Sequence, residues 1–89
     1  MHETQADVVV ANAGGLHARA ASRFVRQAVK YRSIVSVVKD DVVYNGKSIM
    51  GILSMQAFQG DTITIRAIGD DADRAVEELT ELVRTDTEE

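Results

Sequence analysis

Ala72, Ala75, Val76, Leu79, Leu82 and Val83 recur at spacings of three and four near the end of the chain, with acids and arginine between them. This is a one-sided apolar stripe on a helix, and such a stripe is stable only against an apolar surface that the rest of the chain must supply. Three segments of period two can supply it. Val8 and Val10 lie in a segment from Ala6 to Ala11. Val35 and Val37 alternate within Ser33 to Lys39, and Ile63, Ile65 and Ala67 alternate within Thr62 to Ala67. Alternation of this kind predicts strands with one buried face. With 89 residues and no cysteine, one domain over 1–89 must be held by packing alone, without disulfides.

Two more helices fit between the strands. Ala21, Phe24, Val25 and Ala28 form an i, i+3, i+4, i+7 stripe that predicts a helix from about Ala18 to Tyr31. Asp40-Asp41 predicts a tight turn into a short return strand, Val42 to Tyr44. Asn45-Gly46 then leads into a second helix, for which Ser48 is a suitable N-cap. Ile49, Met50, Ile52, Leu53 and Met55 exceed what one stripe on so short a helix can bury, so some are expected at the surface. Gln59-Gly60-Asp61 reads as a turn, and Asp70 as the cap of the last helix. The order is βαββαβα, with all three helical stripes able to cover one face of a four-stranded sheet. The polar ends, about 1–4 and 85–89, are expected to be loose.

The stretch Gly14-Gly15-Leu16-His17-Ala18-Arg19-Ala20-Ala21 stands where the first loop turns into the first helix. His17 falls at or near the N-cap, where backbone N–H groups lack helical partners and the macrodipole presents positive charge. A phosphate attached to the imidazole there would meet those donors, and Arg19 would add a charge-assisted pair. An imidazole titrates near pH 6.5, so at neutral pH much of it is an unprotonated nucleophile. Lone histidines near helix starts are mostly structural, and a second motif is what raises this one: Lys47-Ser48-Ile49-Met50-Gly51-Ile52-Leu53-Ser54-Met55.

Together, Gly-Leu-His-Ala-Arg and Lys-Ser-Ile-Met-Gly-Ile-Leu-Ser-Met resemble HPr, the family of histidine phosphocarriers of the bacterial phosphotransferase system. The similarity runs over essentially the whole chain. It implies an α+β open-faced β-sandwich with an antiparallel sheet, and a transient phosphohistidine at His17 formed on Nδ1, with Arg19 stabilising the phosphoryl group. It implies phosphorylated enzyme I as donor and enzyme IIA proteins or domains of sugar permeases as acceptors, so a carrier and not an independent enzyme. Ser48 matches the family's regulatory serine, a target in some bacteria of an HPr kinase/phosphorylase. One departure is Ala20, where the family typically has proline. A paralogue serving nitrogen-linked or regulatory phosphotransfer, or a regulatory module acting through Ser48 and its apolar neighbours, are the alternatives.

Net charge is −4, but the bases Arg19, Arg23, Arg26, Lys30, Arg32, Lys39 and Lys47 sit in the first half, and Asp61, Asp70, Asp71, Asp73, Glu77, Glu78 and Glu81 in the second. Arg23 and Arg26, with Ile49, Met50 and Leu53, are therefore the expected partner-binding surface. The negative total and an aromatic content of 4% disfavour nucleic acid. There is no P-loop, no paired metal-ligand motif and no Ser-His-Asp constellation, so neither metal nor other cofactor is expected. No apolar run approaches the roughly 20 residues of a membrane span, and a cytoplasmic monomer without stable membrane association is the expectation.

Overall fold

The computed structural model describes residues 2–87. Its elements are β1 (Glu3–Val9), α1 (Ala18–Ala28), β2 (Ile34–Lys39), β3 (Val42–Asn45), α2 (Ile49–Met55), β4 (Thr62–Ile68) and α3 (Ala72–Thr85). The strands form one sheet in the order β1-β4-β2-β3, and every neighbouring pair is antiparallel. In the register, Ile65 of β4 stands between Ala6 and Val37, and Ile63 stands opposite Val8. These inward positions are buried together with the stripes of all three helices in one core. The opposite face carries Thr62, Thr64 and Arg66. There Thr64 Oγ1 donates to Asp7 at 2.6 Å, and Arg66 pairs with Glu3 at 3.5 Å. One face is dry and one is wet, which makes the sandwich open-faced.

The hairpin between β2 and β3 turns on Asp40 and Asp41, both at positive φ (52° and 67°). Lys39 pairs with Val42 across them, so the loop is a two-residue type I′ turn whose twist matches the strands. Ala20 lies in the first turn of α1 and is 1% exposed, ahead of the first helical bond, Ala21 N–H to His17 O at 2.8 Å. No helix among the described residues is long and apolar enough to cross a membrane.

Four local expectations are corrected. β1 begins at Glu3 and ends at Val9, not Ala6 to Ala11, because Glu3, Gln5 and Asp7 occupy the wet face while Thr4, Ala6 and Val8 point inward. α1 stops at Ala28: Lys30 N–H bonds Gln27 O and Tyr31 N–H bonds Ala28 O, a tightened last turn that still buries Tyr31. The N-cap of α3 is Asp71, not Asp70. The ends are tied within the described residues. Glu3 and Thr4 pair with Ile68 and Ala67, and His2 Nε2 lies 2.8 Å from Asp73. Thr85 closes α3, and Asp86 bonds Arg23. Positions 1, 88 and 89 lie outside the described residues.

Candidate functional site

The loop before α1 is strapped to the segment that follows α2. Gly15 N–H donates to Asn12 O at 2.8 Å and Leu16 N–H to Ala57 O at 3.0 Å, while the Leu16 side chain is buried. Gly15 has φ +70°, and a Cβ there would lie 2.4 Å from Ala57 O. Only glycine permits both the left-handed turn and the close approach. The chain thus enters α1 in a fixed direction.

His17 is the N-cap of α1, in extended conformation, and its Nδ1 accepts the N–H of Arg19 at 3.1 Å. Nδ1 therefore presents a lone pair to the helix N-terminus, and the ring proton of the neutral imidazole belongs on Nε2. Nε2 is buried and has no hydrogen-bond partner among the described residues. Beside the ring, Ala13, Gly14, Ala18 and Arg19 complete an open depression of about 510 Å³. The first turn of α1 contains no acid. The arrangement suits a small dianion held by amide donors and a guanidinium, and it leaves the site reachable from solvent. No group of His, Cys, Asp and Glu among the described residues is arranged to hold a metal ion.

The other expected residues divide. Arg26 is exposed on α1. Arg23 makes a two-point pair with Asp86, from Nε at 2.9 Å and Nη2 at 2.8 Å. Ser48 caps α2, its Oγ accepting Gly51 N–H at 3.0 Å. Asn45 Oδ1 accepts Lys47 N–H at 2.9 Å in the turn before it, and Lys47 Nζ reaches Tyr31 O at 2.7 Å. Ile49 and Met50 are 43% and 71% exposed, Leu53 is half-buried, and Ile52 and Met55 belong to the core. The far end of α2 meets the His17 loop through Ala57, so Ser48 stands at the opposite end of a seven-residue helix, about 10 Å along its axis.

Phe58 was not among the expected site residues. It is 64% exposed, and a Cβ on Gly15 would lie 3.0 Å from its Cα. An isolated aromatic between a helix and a turn has no periodicity to mark it. Its neighbourhood with the His17 loop depends on the Leu16–Ala57 bond, a contact remote in sequence.

The model of the family described as "PTS HPr component phosphorylation site" matches residues 4–85. The phosphocarrier protein HPr of Neisseria meningitidis is 40% identical over 76 residues, 85% of each chain. The HPr-like protein Crh of Bacillus subtilis is 40% identical over 70 residues, 79% of this chain and 82% of that one. Among solved structures, HPr from Bacillus anthracis superposes with a TM-score of 0.89 at 38% identity, covering 93% of this chain and 99% of its own. HPr-C-His from Thermoanaerobacter tengcongensis superposes with a TM-score of 0.87 at 40% identity, over 90% of each chain. The chain belongs to the HPr family, the phosphocarriers of the phosphotransferase system, which relay a phosphoryl group and are not independent catalysts.

Proposed function

We propose that His17 takes a phosphoryl group on Nδ1 from phosphorylated enzyme I and passes it to enzyme IIA proteins or domains of sugar permeases. The observation that carries this is the bond from Arg19 N–H to Nδ1. It marks Nδ1 as the unprotonated nitrogen and aims it at amide donors. In the transfer the bond from phosphorus to the donor breaks as the Nδ1–P bond forms, and the Nε2 proton stays in place. The dianion then replaces the lone pair as acceptor for the N–H groups of the first turn, with Arg19 alongside. Nothing in the site has to remove a proton, which suits a carrier that must give the group up again.

Docking falls to Arg26, the exposed Ile49 and Met50 and the half-buried Leu53, with Arg23 contributing from within its pair. Ser48 is a regulatory site open to an HPr kinase/phosphorylase, and the carrier works as a cytoplasmic monomer. The second reading, a regulatory paralogue, is favoured by the likeness to HPr-like protein Crh. The test is incubation with enzyme I and labelled phosphoenolpyruvate. Label that is lost in acid, survives base and disappears in His17→Ala supports the carrier. A folded wild-type protein that takes no label at His17 favours the regulatory module.

A further inference from the structure

Asp86 follows α3, in the segment whose composition reads as a polar tail, yet its side chain is 9% exposed. Besides its two bonds from Arg23, it accepts a longer one from Asn12 Nδ2 at 3.4 Å. Asn12 is 1% exposed, and its Oδ1 accepts the N–H of Gly14 at 2.8 Å. Gly14 in turn abuts the imidazole: a Cβ on it would lie 2.6 Å from His17 Cδ2 and 3.3 Å from Nε2. A path of contacts thus runs from Asp86 through Asn12 and Gly14 to the Nε2 edge of the ring, the edge opposite the nitrogen that faces the helix.

The direction of the Asn12 amide matters in this path. A carboxylate only accepts, so Asp86 requires the NH₂ end of Asn12. The carbonyl end is then left for Gly14 N–H. With the amide reversed, a donor would face the Gly14 donor and a carbonyl would face a carboxylate. Arg23 holds the carboxylate at two points and so keeps it from turning away.

We propose that Asp86 is a positioning residue for His17: through Asn12 it fixes the loop under the imidazole, and so fixes which ring nitrogen receives the phosphoryl group. This rests on the reading of Nδ1 as acceptor. It also gives Arg23 a duty inside the protein, in addition to any at a partner surface.

The test uses full-length protein carrying ¹⁵N-labelled histidine, in which imidazole correlations report the tautomer of His17 directly. Wild type should show the proton on Nε2. Asp86→Ala and Asn12→Ala should each show a mixture of tautomers, with the maximal transfer rate at saturating enzyme I about 10-fold lower. In Asp86→Asn an amide oxygen can still accept from Asn12, so the tautomer should be largely restored. The double variant should lose no more than Asn12→Ala alone, because both changes cut one path. A lower melting temperature with unchanged tautomer and unchanged maximal rate would reduce Asp86 to a structural tie and overturn the proposal, as would additive losses in the double variant. If wild type takes no phosphate at His17 the carrier reading fails, while the tautomer comparison still decides the role of Asp86.

Discussion

Asp71 at the start of α3 holds Ser33 at the entrance to β2. Its carboxylate accepts Ser33 Oγ at 2.5 Å, Ser33 N–H at 3.0 Å and Arg32 N–H at 2.9 Å. The residue that should cap its own helix makes no side-chain cap bond there. It instead satisfies the polar groups of Ser33, which is 1% exposed. The Ser33 hydroxyl first, and then the backbone N–H groups, hold the Asp71 carboxyl down at about 2.

A carboxyl depressed in the folded state stabilises it fully above its unfolded value, near 3.9, and that contribution is lost as pH falls through the folded value. Unfolding by urea should therefore show wild-type stability falling between pH 4 and 2. Asp71→Asn should be less stable than wild type at neutral pH, with the difference narrowing over that interval. A constant difference from pH 7 to pH 2 would remove Asp71 from the acid response.

Two backbone positions should answer oppositely to substitution. Gly15→Ala combines a positive φ with a methyl group 2.4 Å from Ala57 O, and should destabilise by about 2–4 kcal/mol. Gln56 ends α2 in the left-handed region, at φ 51°. Gln56→Gly removes a strain of about 1–2 kcal/mol and adds part of it back as unfolded-state entropy, for a net gain of about 0.5–1 kcal/mol. Equilibrium unfolding of both variants checks the pair, and a destabilised Gln56→Gly would contradict the strain argument.

Where the sequence was legible, the information lay within one element. The stripes of α1 and α3, the inward Val35, Val37, Ile63 and Ile65, the turn at Asp40-Asp41 and the Ser48 cap are each set by neighbours a few residues away. The place of His17 at the N-cap of α1 was legible for the same reason, because helix capping is local. What periodicity could not reach were partners distant along the chain. Arg23 finds Asp86 63 positions on, and Asp71 finds Ser33 38 positions back. A charge on a helix face looks the same whether it points to solvent or to the end of another helix. Alternation that predicts Ala6 to Ala11 misses the start of β1, because the wet-face Glu3, Gln5 and Asp7 mask the inward series of Thr4, Ala6 and Val8.

The Arg23–Asp86 pair alters what charge reversal should do. Arg26→Glu changes an exposed residue, so association with enzyme I should slow most at low salt, where screening lengths exceed about 8 Å, with the melting temperature unchanged. Arg23→Glu should slow association too, and also lower the melting temperature, since it sets a carboxylate against the nearly buried Asp86. Met50→Ala should weaken binding with little salt dependence, its 71% exposed side chain offering apolar area alone. Rates across a salt series, with thermal unfolding beside them, separate the three. Equal melting temperatures for the two arginine variants would mean that the pair contributes nothing in solution.

A negative charge at Ser48 should slow transfer without harming the fold. Ser48 Oγ accepts Gly51 N–H at 3.0 Å, a service that an aspartate at the same N-cap also performs. Ser48→Asp should therefore keep the melting temperature, or raise it slightly through the helix dipole. The charge stands beside the exposed Ile49 and Met50, on a docking surface whose Arg23 and Arg26 call for an acidic partner, so repulsion and desolvation should weaken docking. His17 lies beyond the opposite end of α2, about 10 Å of helix away, and its own chemistry should be unaltered. The expected pattern is a raised KM for enzyme I with the maximal rate retained, and a smaller effect at high salt. Aspartate carries less charge and fewer oxygens than a phosphate, so phosphorylated Ser48 should act in the same direction and more strongly. Slowed transfer that no concentration of enzyme I restores would place the damage at the histidine itself, and the docking account would be wrong.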